Sequence, residues 1–152
     1  NMITIEDFKI KHSNKVRFIG LDLGSKRICV SICDERQSIA TPFKTINKTN
    51  TNELIDQLKI IIKDNNIGGI IVGNPVNMDG SLGRSAQSVN DVASNISKSI
   101  DLPVILWDER LSTVGAFNLS SLLDVNVSKR VKTIDQNAAA FILQGAIDFL
   151  NN

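Results

Sequence analysis

The chain has 152 residues, of which 42% are hydrophobic, and its formal net charge is +1. This length suits one domain with a buried core, and the near-balance of charge excludes a strongly basic nucleic-acid-binding protein. No apolar run approaches the roughly 18–20 residues that a membrane span needs, and the first residues lack the order of a signal peptide. We therefore expect a cytoplasmic protein without a membrane partner, in which contact with nucleic acid depends on local clusters of basic residues.

Residues 1–15 read as a polar N-terminal extension, and we predict a single domain over residues 16–152. The domain opens with three segments rich in Val, Ile and Phe, at Val16–Leu23, Arg27–Cys33 and Ser38–Ile46. Short polar breaks separate them, as is typical of hairpins. The segments therefore predict three consecutive strands.

Alternating helices and strands are predicted next. Asn50 and Glu53 have the spacing of a capping box, and the apolar residues behind them recur at helical spacing. Gly69–Gly73 and Pro103–Trp107 are short continuous apolar runs, typical of strands covered on both faces. The helical spacing that starts at Arg84 predicts a helix between these two strands.

The last part of the chain is predicted to be helical. Ser112 or Thr113 can cap a helix that ends near Leu123, and Thr133–Gln136 has the capping-box form that opens a final helix to Leu150. The order βββαβαβαα predicts an α/β domain with a mixed five-stranded sheet flanked by helices.

Three acidic residues lie at the edges of apolar segments. Asp22 ends the first strand, on the face opposite its leucine neighbours, where a buried carboxylate needs a cation or hydrogen-bond donors. Glu109 follows Pro103–Trp107, and we choose it over Asp108 because its longer side chain reaches further past the strand end. Asp22 as the cap of a turn, and the acidic pair at 108–109 as a solvated loop, are the alternatives.

The third acid, Asp135, lies on the stripe of the final helix that should face the sheet. Asp135, Ala139, Ile142 and Ala146 fall at i, i+4, i+7 and i+11, which places them on one side of a helix. The small residues at 138–140 would let the helix approach the sheet closely. An acid in the first turn of a helix is also favoured by the helix dipole alone, which is the alternative here.

Three carboxylates gathered at strand ends predict a site for Mg²⁺ or Mn²⁺. Such hard cations take oxygen ligands and keep positions for phosphate oxygens. Two of them about 3.5–4 Å apart can activate a water and stabilise the leaving oxygen of a phosphodiester. We predict a two-metal site in which Asp22 bridges both ions, while Glu109 and Asp135 each hold one, so that the three acids are both metal ligands and catalytic residues.

Basic residues accompany the acids along the chain. Arg84 opens a helix after a turn-rich loop, and a helix N-terminus with an arginine can hold a phosphate. Solvated surface charge is the alternative for each of these residues. The predicted substrate-binding residues are Lys26, Arg27, Arg84, Arg110, Lys129 and Arg130.

Four sequence blocks together resemble the YqgF family, also called RuvX. They are GLDLGSKRICVSICD, IIVGNPVNMDGSLGRSAQSV, LWDERLST and TIDQNAAAFILQGAID, and the resemblance spans nearly the whole chain. It implies a ribonuclease H-like fold related to Holliday-junction resolvases. It also implies a nuclease role in maturing the 5′ end of pre-16S ribosomal RNA, and thus in ribosome biogenesis.

The resemblance assigns the family's acidic positions to Asp22, Glu109 and Asp135, and its Lys-Arg pair to Lys26 and Arg27. The chain departs from the family's usual residues without losing an acid. A cysteine stands at position 29 where glycine is usual, an asparagine at position 74 where leucine is usual, and a glycine at position 115 where helix-favouring residues are common.

The leading hypothesis is a divalent-metal-dependent phosphodiesterase that acts on structured RNA, with a ribosomal RNA precursor as the expected partner. A resolvase that cuts branched DNA would use the same groups, so this alternative stays open. A non-catalytic nucleic-acid-binding module is a second alternative, which the three acids disfavour. A sugar-kinase-like protein is disfavoured by the lack of a second lobe, and both a monomer and a homodimer remain possible.

Overall fold

The computed structural model describes residues 2–11, 16–24, 27–47, 50–74, 84–108 and 138–151, with the backbone alone for residues 10, 11 and 84–86. The strands in these ranges are β1 (Met2–Ile3), β2 (Arg17–Leu23), β3 (Arg27–Cys33), β4 (Ala40–Asn47), β5 (Ile67–Asn74) and β6 (Val104–Asp108). The helices are α1 (Ile5–Lys11), α2 (Thr51–Asn65), α3 (Arg84–Ser99) and α4 (Ala138–Leu150). None of these helices is long and apolar enough to cross a membrane.

The strands form one mixed sheet in the order β1-β6-β5-β2-β3-β4. The first four strands in this order are parallel, and β3 and β4 add antiparallel hairpins to β2. The predicted α/β architecture is confirmed, but the sheet has six strands instead of five. The additional strand comes from the predicted N-terminal extension, where Met2 and Ile3 pair with Val104 and Ile105. Two residues are too few to show an alternating pattern in the sequence.

Helices cover both faces of the sheet, and the alternation of side chains along β2 shows which residues face which helices. Ile19 and Leu21 belong to the buried cluster under α2 and α3. Phe18 belongs to the cluster under α1 and α4. Because successive side chains of a strand point to opposite faces, Gly20 and Asp22 lie on the same face as Phe18. We call this side of the sheet the α4 face.

Helix α2 begins where the sequence pattern predicts. The Asn50 side chain accepts a hydrogen bond from the Glu53 backbone N–H at 2.9 Å, as an N-cap does. At the other end, Asn66 adopts a left-handed conformation (φ 53°) and its N–H donates to the Ile62 carbonyl. The predicted N-cap of this helix is therefore confirmed.

Strand β4 begins two residues later than predicted, at Ala40, because of the turn before it. One carboxylate oxygen of Asp34 accepts the backbone N–H groups of Ser38 (2.8 Å) and Ile39 (3.0 Å). Asp34 therefore holds these two residues in a turn after β3. Such binding of backbone donors by an Asp side chain is a common way to build a turn.

Candidate active site

Asp22 lies at the carboxyl end of β2, half-buried on the α4 face, opposite Cys29 of β3. A tight turn follows it, in which the Gly24 N–H donates to the carbonyl oxygens of Asp22 (3.1 Å) and Arg27 (3.0 Å). A Cβ atom on Gly24 would lie 2.6 Å from the Arg27 carbonyl oxygen, so only glycine fits this turn without a shift. The turn ends the strand just after Asp22 and leaves its carboxylate at the edge of the sheet.

The parallel strands β2, β5 and β6 end at the same edge of the sheet. Leu21 pairs with Val72, so the next residue, Asp22, is level with Gly73, which pairs with Trp107 of β6. Gly73 has no side chain. On the α4 face, therefore, no β5 side chain stands between the Asp22 carboxylate and the end of β6.

The first turn of α4 is anchored next to Asp22. The buried Ser31 hydroxyl donates to the Ala139 carbonyl oxygen at 2.7 Å, and it lies 3.3 Å from the Gly20 carbonyl oxygen. A Cβ atom on Gly20 would lie 2.6 Å from the Ser31 Oγ and 2.7 Å from the Leu143 Cβ. The helix can approach β2 this closely only because Gly20, two residues before Asp22 on the same face, lacks a side chain.

The buried side of α4 is the one that the sequence predicts. Ala139, Ile142 and Ala146 are 3%, 3% and 0% exposed, so the stripe predicted to face the sheet does so. Asp135 precedes this stripe by one helical turn in the sequence, and it lies outside the described residues. Its placement at the site stays a prediction.

At the end of β6, Asp108 and Asp22 lie on opposite faces of the sheet. Leu106 packs against the cluster under α2 and α3, whereas Trp107 is buried in the cluster under α1 and α4. Continued alternation places Asp108 on the face opposite Asp22. Glu109, the predicted ligand, is the next residue in the chain and lies outside the described residues.

Two of the predicted substrate-binding residues lie within the described ranges. Arg27 is the exposed first residue of β3, directly after the Asp22 turn, and Arg84 is the first residue of α3. The predictions for Lys26, Arg110, Lys129 and Arg130 concern residues outside the described ranges. Among the described residues, no group of three His, Cys, Asp or Glu side chains could hold a metal ion, and Asp22 is the one predicted acid among them.

The sequence patterns assigned no role to three residues at this edge of the sheet. Gly20 and Ser31 set the position of α4. The available signal in the sequence was a glycine and a serine, each inside an otherwise apolar strand. The third is Asn74, the last residue of β5 and the partner of Asp108. Within the described structure, its Oδ1 is buried without a hydrogen-bond partner.

Sequence comparison finds close relatives of the whole chain. A protein of Pelagibacter ubique (strain HTCC1062) is 98% identical over 151 residues, which cover 99% of this chain and 100% of that protein. A protein of Sphingopyxis alaskensis is 44% identical over 142 residues, which cover 93% of each chain. Both carry the name "Putative pre-16S rRNA nuclease".

Structure comparison finds the same fold in a resolvase. The T. thermophilus RuvC in complex with a Holliday junction substrate matches with a TM-score of 0.54 and 10% sequence identity, over 87% of this chain and 93% of RuvC. At this identity the likeness establishes the ribonuclease H-like fold. The family model described as "RuvX: Holliday junction resolvase" matches residues 16–149. The chain therefore belongs to the RuvX family.

Proposed function

We propose that this protein is a divalent-metal-dependent nuclease that hydrolyses phosphodiester bonds of structured RNA, and that its substrate is the 5′ end of pre-16S ribosomal RNA. The observation that carries the proposal is the anchoring of α4 over Gly20 by the Ser31–Ala139 hydrogen bond. It brings the start of the helix, at Ala138 and Ala139, towards the edge where Asp22 lies, and Asp135 precedes Ala138 by three residues in the sequence. The names of the curated relatives support the RNA substrate.

The residues at this edge fit a hard divalent cation. Asp22 supplies a half-buried carboxylate, and Gly73 beside it leaves room on the same face. We propose that Glu109 and Asp135 complete an all-oxygen ligand set, which Mg²⁺ and Mn²⁺ prefer. When bound, two such ions supply charge stabilisation at a phosphodiester and lower the pKa of a bound water.

The protein's own groups would position the substrate. Arg27 is exposed directly after the turn that follows Asp22, and we propose that its guanidinium binds a phosphate of the substrate at this edge. Arg84 opens α3, whose backbone N–H groups and positive dipole end favour an anion. We propose the same role for Lys26, Arg110, Lys129 and Arg130. The site would act in the cytoplasm, where ribosomal RNA precursors are processed.

A resolvase acting on branched DNA is the second candidate. The description of the family and the fold shared with RuvC both favour it. Both substrates present the same phosphodiester to the same groups, and the 2′-hydroxyl is what distinguishes them.

The test is a comparison of two substrates under matched salt and Mg²⁺ or Mn²⁺. One is a labelled RNA fragment that spans the 5′ end of pre-16S ribosomal RNA, and the other is a four-way DNA junction of similar length. We expect cleavage of the RNA and little of the junction. Preferred cutting of the junction would assign the DNA resolvase function, and binding of either substrate without cutting would indicate a non-catalytic module.

A further inference from the structure

A polar groove of about 220 Å³ lies on the α4 face next to Asp22. One wall is the start of α4, at Ala139 and Ala140, and the others come from β3 and β4. Cys29 lines the groove and is the cross-strand partner of Asp22. The groove therefore begins at the residue next to the proposed catalytic carboxylate and leads away from it across the hairpin.

A β-bulge places an aromatic side chain at this groove. Val30 pairs with Lys44, whereas the next residue of β3, Ser31, pairs with Pro42, so that Phe43 is an additional residue in β4. Bulges bend a strand and re-aim its side chains, and they are frequent beside active sites. Phe43 lines the groove and is 44% exposed. Core packing does not account for an aromatic ring held in this position.

The composition of β4 disfavours a second copy of the chain as the occupant. Pro42 and Lys44 flank Phe43 on an edge strand. Proline and lysine on an edge strand hinder pairing with another strand. An exposed aromatic ring in a polar groove that begins beside the proposed catalytic carboxylate suits a nucleotide base better than an apolar protein surface.

We propose that this groove holds one unpaired nucleotide of the RNA next to the scissile phosphate, with its base stacked on Phe43. The inference rests on the proposed function, because it supplies the substrate path for the same site. Unpaired bases stack on aromatic side chains in many RNA-binding proteins, and this contact tolerates any base. The groove would thus select for an unpaired nucleotide at the cut, without selecting its sequence.

The test compares the binding of two labelled RNAs by fluorescence anisotropy at fixed salt, with EDTA present to prevent cutting. One RNA is single-stranded and the other is its blunt duplex. We expect Phe43→Ala to weaken binding of the single strand about 5- to 150-fold, the range reported for loss of one stacked base, and to change duplex binding less. The matched control is Ile60→Ala, which removes an apolar side chain that is 61% exposed on α2, away from the groove.

A second variant reports the stacking directly. Phe43→Trp should keep the affinity for the single strand, and the fluorescence of the new indole should be quenched when RNA binds. Trp107 is 6% exposed and contributes a constant background. Because Phe43 is largely exposed on an edge strand, both variants should fold, which thermal unfolding would verify.

Unchanged single-strand affinity in Phe43→Ala, or an unquenched indole, would overturn the inference. So would a concentration-dependent dimer of the wild type that Phe43→Ala abolishes in sedimentation velocity, because Phe43 would then be a contact between copies. The proposed function fails by a different result. If the wild-type protein cuts neither substrate, the nuclease proposal is contradicted. If Phe43→Ala nevertheless weakens single-strand binding, the groove proposal is supported.

Discussion

The hydroxyl of Ser31 donates a hydrogen bond of 2.7 Å to the carbonyl oxygen of Ala139, 108 residues further along the chain. Ser31 is fully buried in β3, and Ala139 lies in the first turn of α4. Carbonyl groups near the start of a helix already serve as acceptors within it, so the Ser31 bond is an additional contact that fixes where the helix begins on the sheet. Asp135 precedes Ala139 by four residues in the sequence, so we expect this contact to govern the position of the proposed third acid.

Replacing Ser31 tests this relationship. Ser31→Ala removes the buried donor while keeping the strand, and we expect a loss of about 1 kcal/mol in the free energy of unfolding. Cleavage by the folded protein should slow through kcat, because the helix is no longer held at the site. Ser38→Ala is the matched control, since its hydroxyl binds the Asp34 carboxylate at the far end of the hairpin. Equal kcat values in both variants would contradict the role of Ser31.

Gly20 and Gly68 form a second pair for comparison. A Cβ atom on Gly20 would meet Ser31 and Leu143, and a Cβ atom on Gly68 would lie 2.8 Å from the Cβ of Val16. Overpacking of this kind typically costs about 1–3 kcal/mol, so chemical denaturation should show both alanine variants to be destabilised. We expect Gly20→Ala alone to lower the cleavage rate per folded molecule, because it displaces α4. A comparable loss of activity in Gly68→Ala would point to general destabilisation instead.

Replacing Asn74 by leucine should stabilise the fold. Its Oδ1 is buried and has no hydrogen-bond partner among the described residues, and an unsatisfied buried polar atom costs on the order of 1–3 kcal/mol. Asn74→Leu should therefore raise the free energy of unfolding, as measured with urea. Asn74 shares the sheet face of Val72, opposite Asp22, so we expect cleavage to be unchanged. A variant that gains no stability and loses activity would show instead that the amide oxygen binds substrate or metal.

The turn at Asp34 predicts a specific dependence of stability on pH. Backbone N–H groups of Ile39 and Ser38 bind the carboxylate and lower its pKa to about 2. In the unfolded chain an Asp titrates near pH 3.9, so the ionised side chain stabilises the fold above about pH 4, and this contribution is lost as the pH falls towards 2. The difference in unfolding free energy between wild type and Asp34→Ala should shrink between pH 5 and pH 2, as judged from urea titrations. A difference that stays constant over this range would contradict the assignment.

Much of the fold could be predicted because its signals are local. The capping residues Asn50 and Glu53, and the apolar stripe at Ala139, Ile142 and Ala146, specify helices from neighbouring residues alone. Asp22 could be placed at a strand end for the same reason, since Gly24 marks the turn.

What could not be predicted depends on partners distant in the chain. β1 is recognisable as a strand only through its pairing with β6, and nothing in the sequence near Ser31 indicates that it binds Ala139. The bulge at Phe43 likewise appears only when β4 is aligned with β3. Sequence patterns thus readily indicate the residues that carry chemistry. They indicate less readily the residues that hold those side chains in place.

The most direct test of the central claim is the nuclease activity of Asp22→Asn. The substitution keeps the size of the side chain and removes the negative charge proposed to bind metal. We expect cleavage of the RNA fragment in Mg²⁺ or Mn²⁺ to fall by at least about 100-fold, while thermal unfolding and RNA affinity in EDTA stay close to those of the wild type. Cleavage by Asp22→Asn at the wild-type rate would contradict the proposed active site.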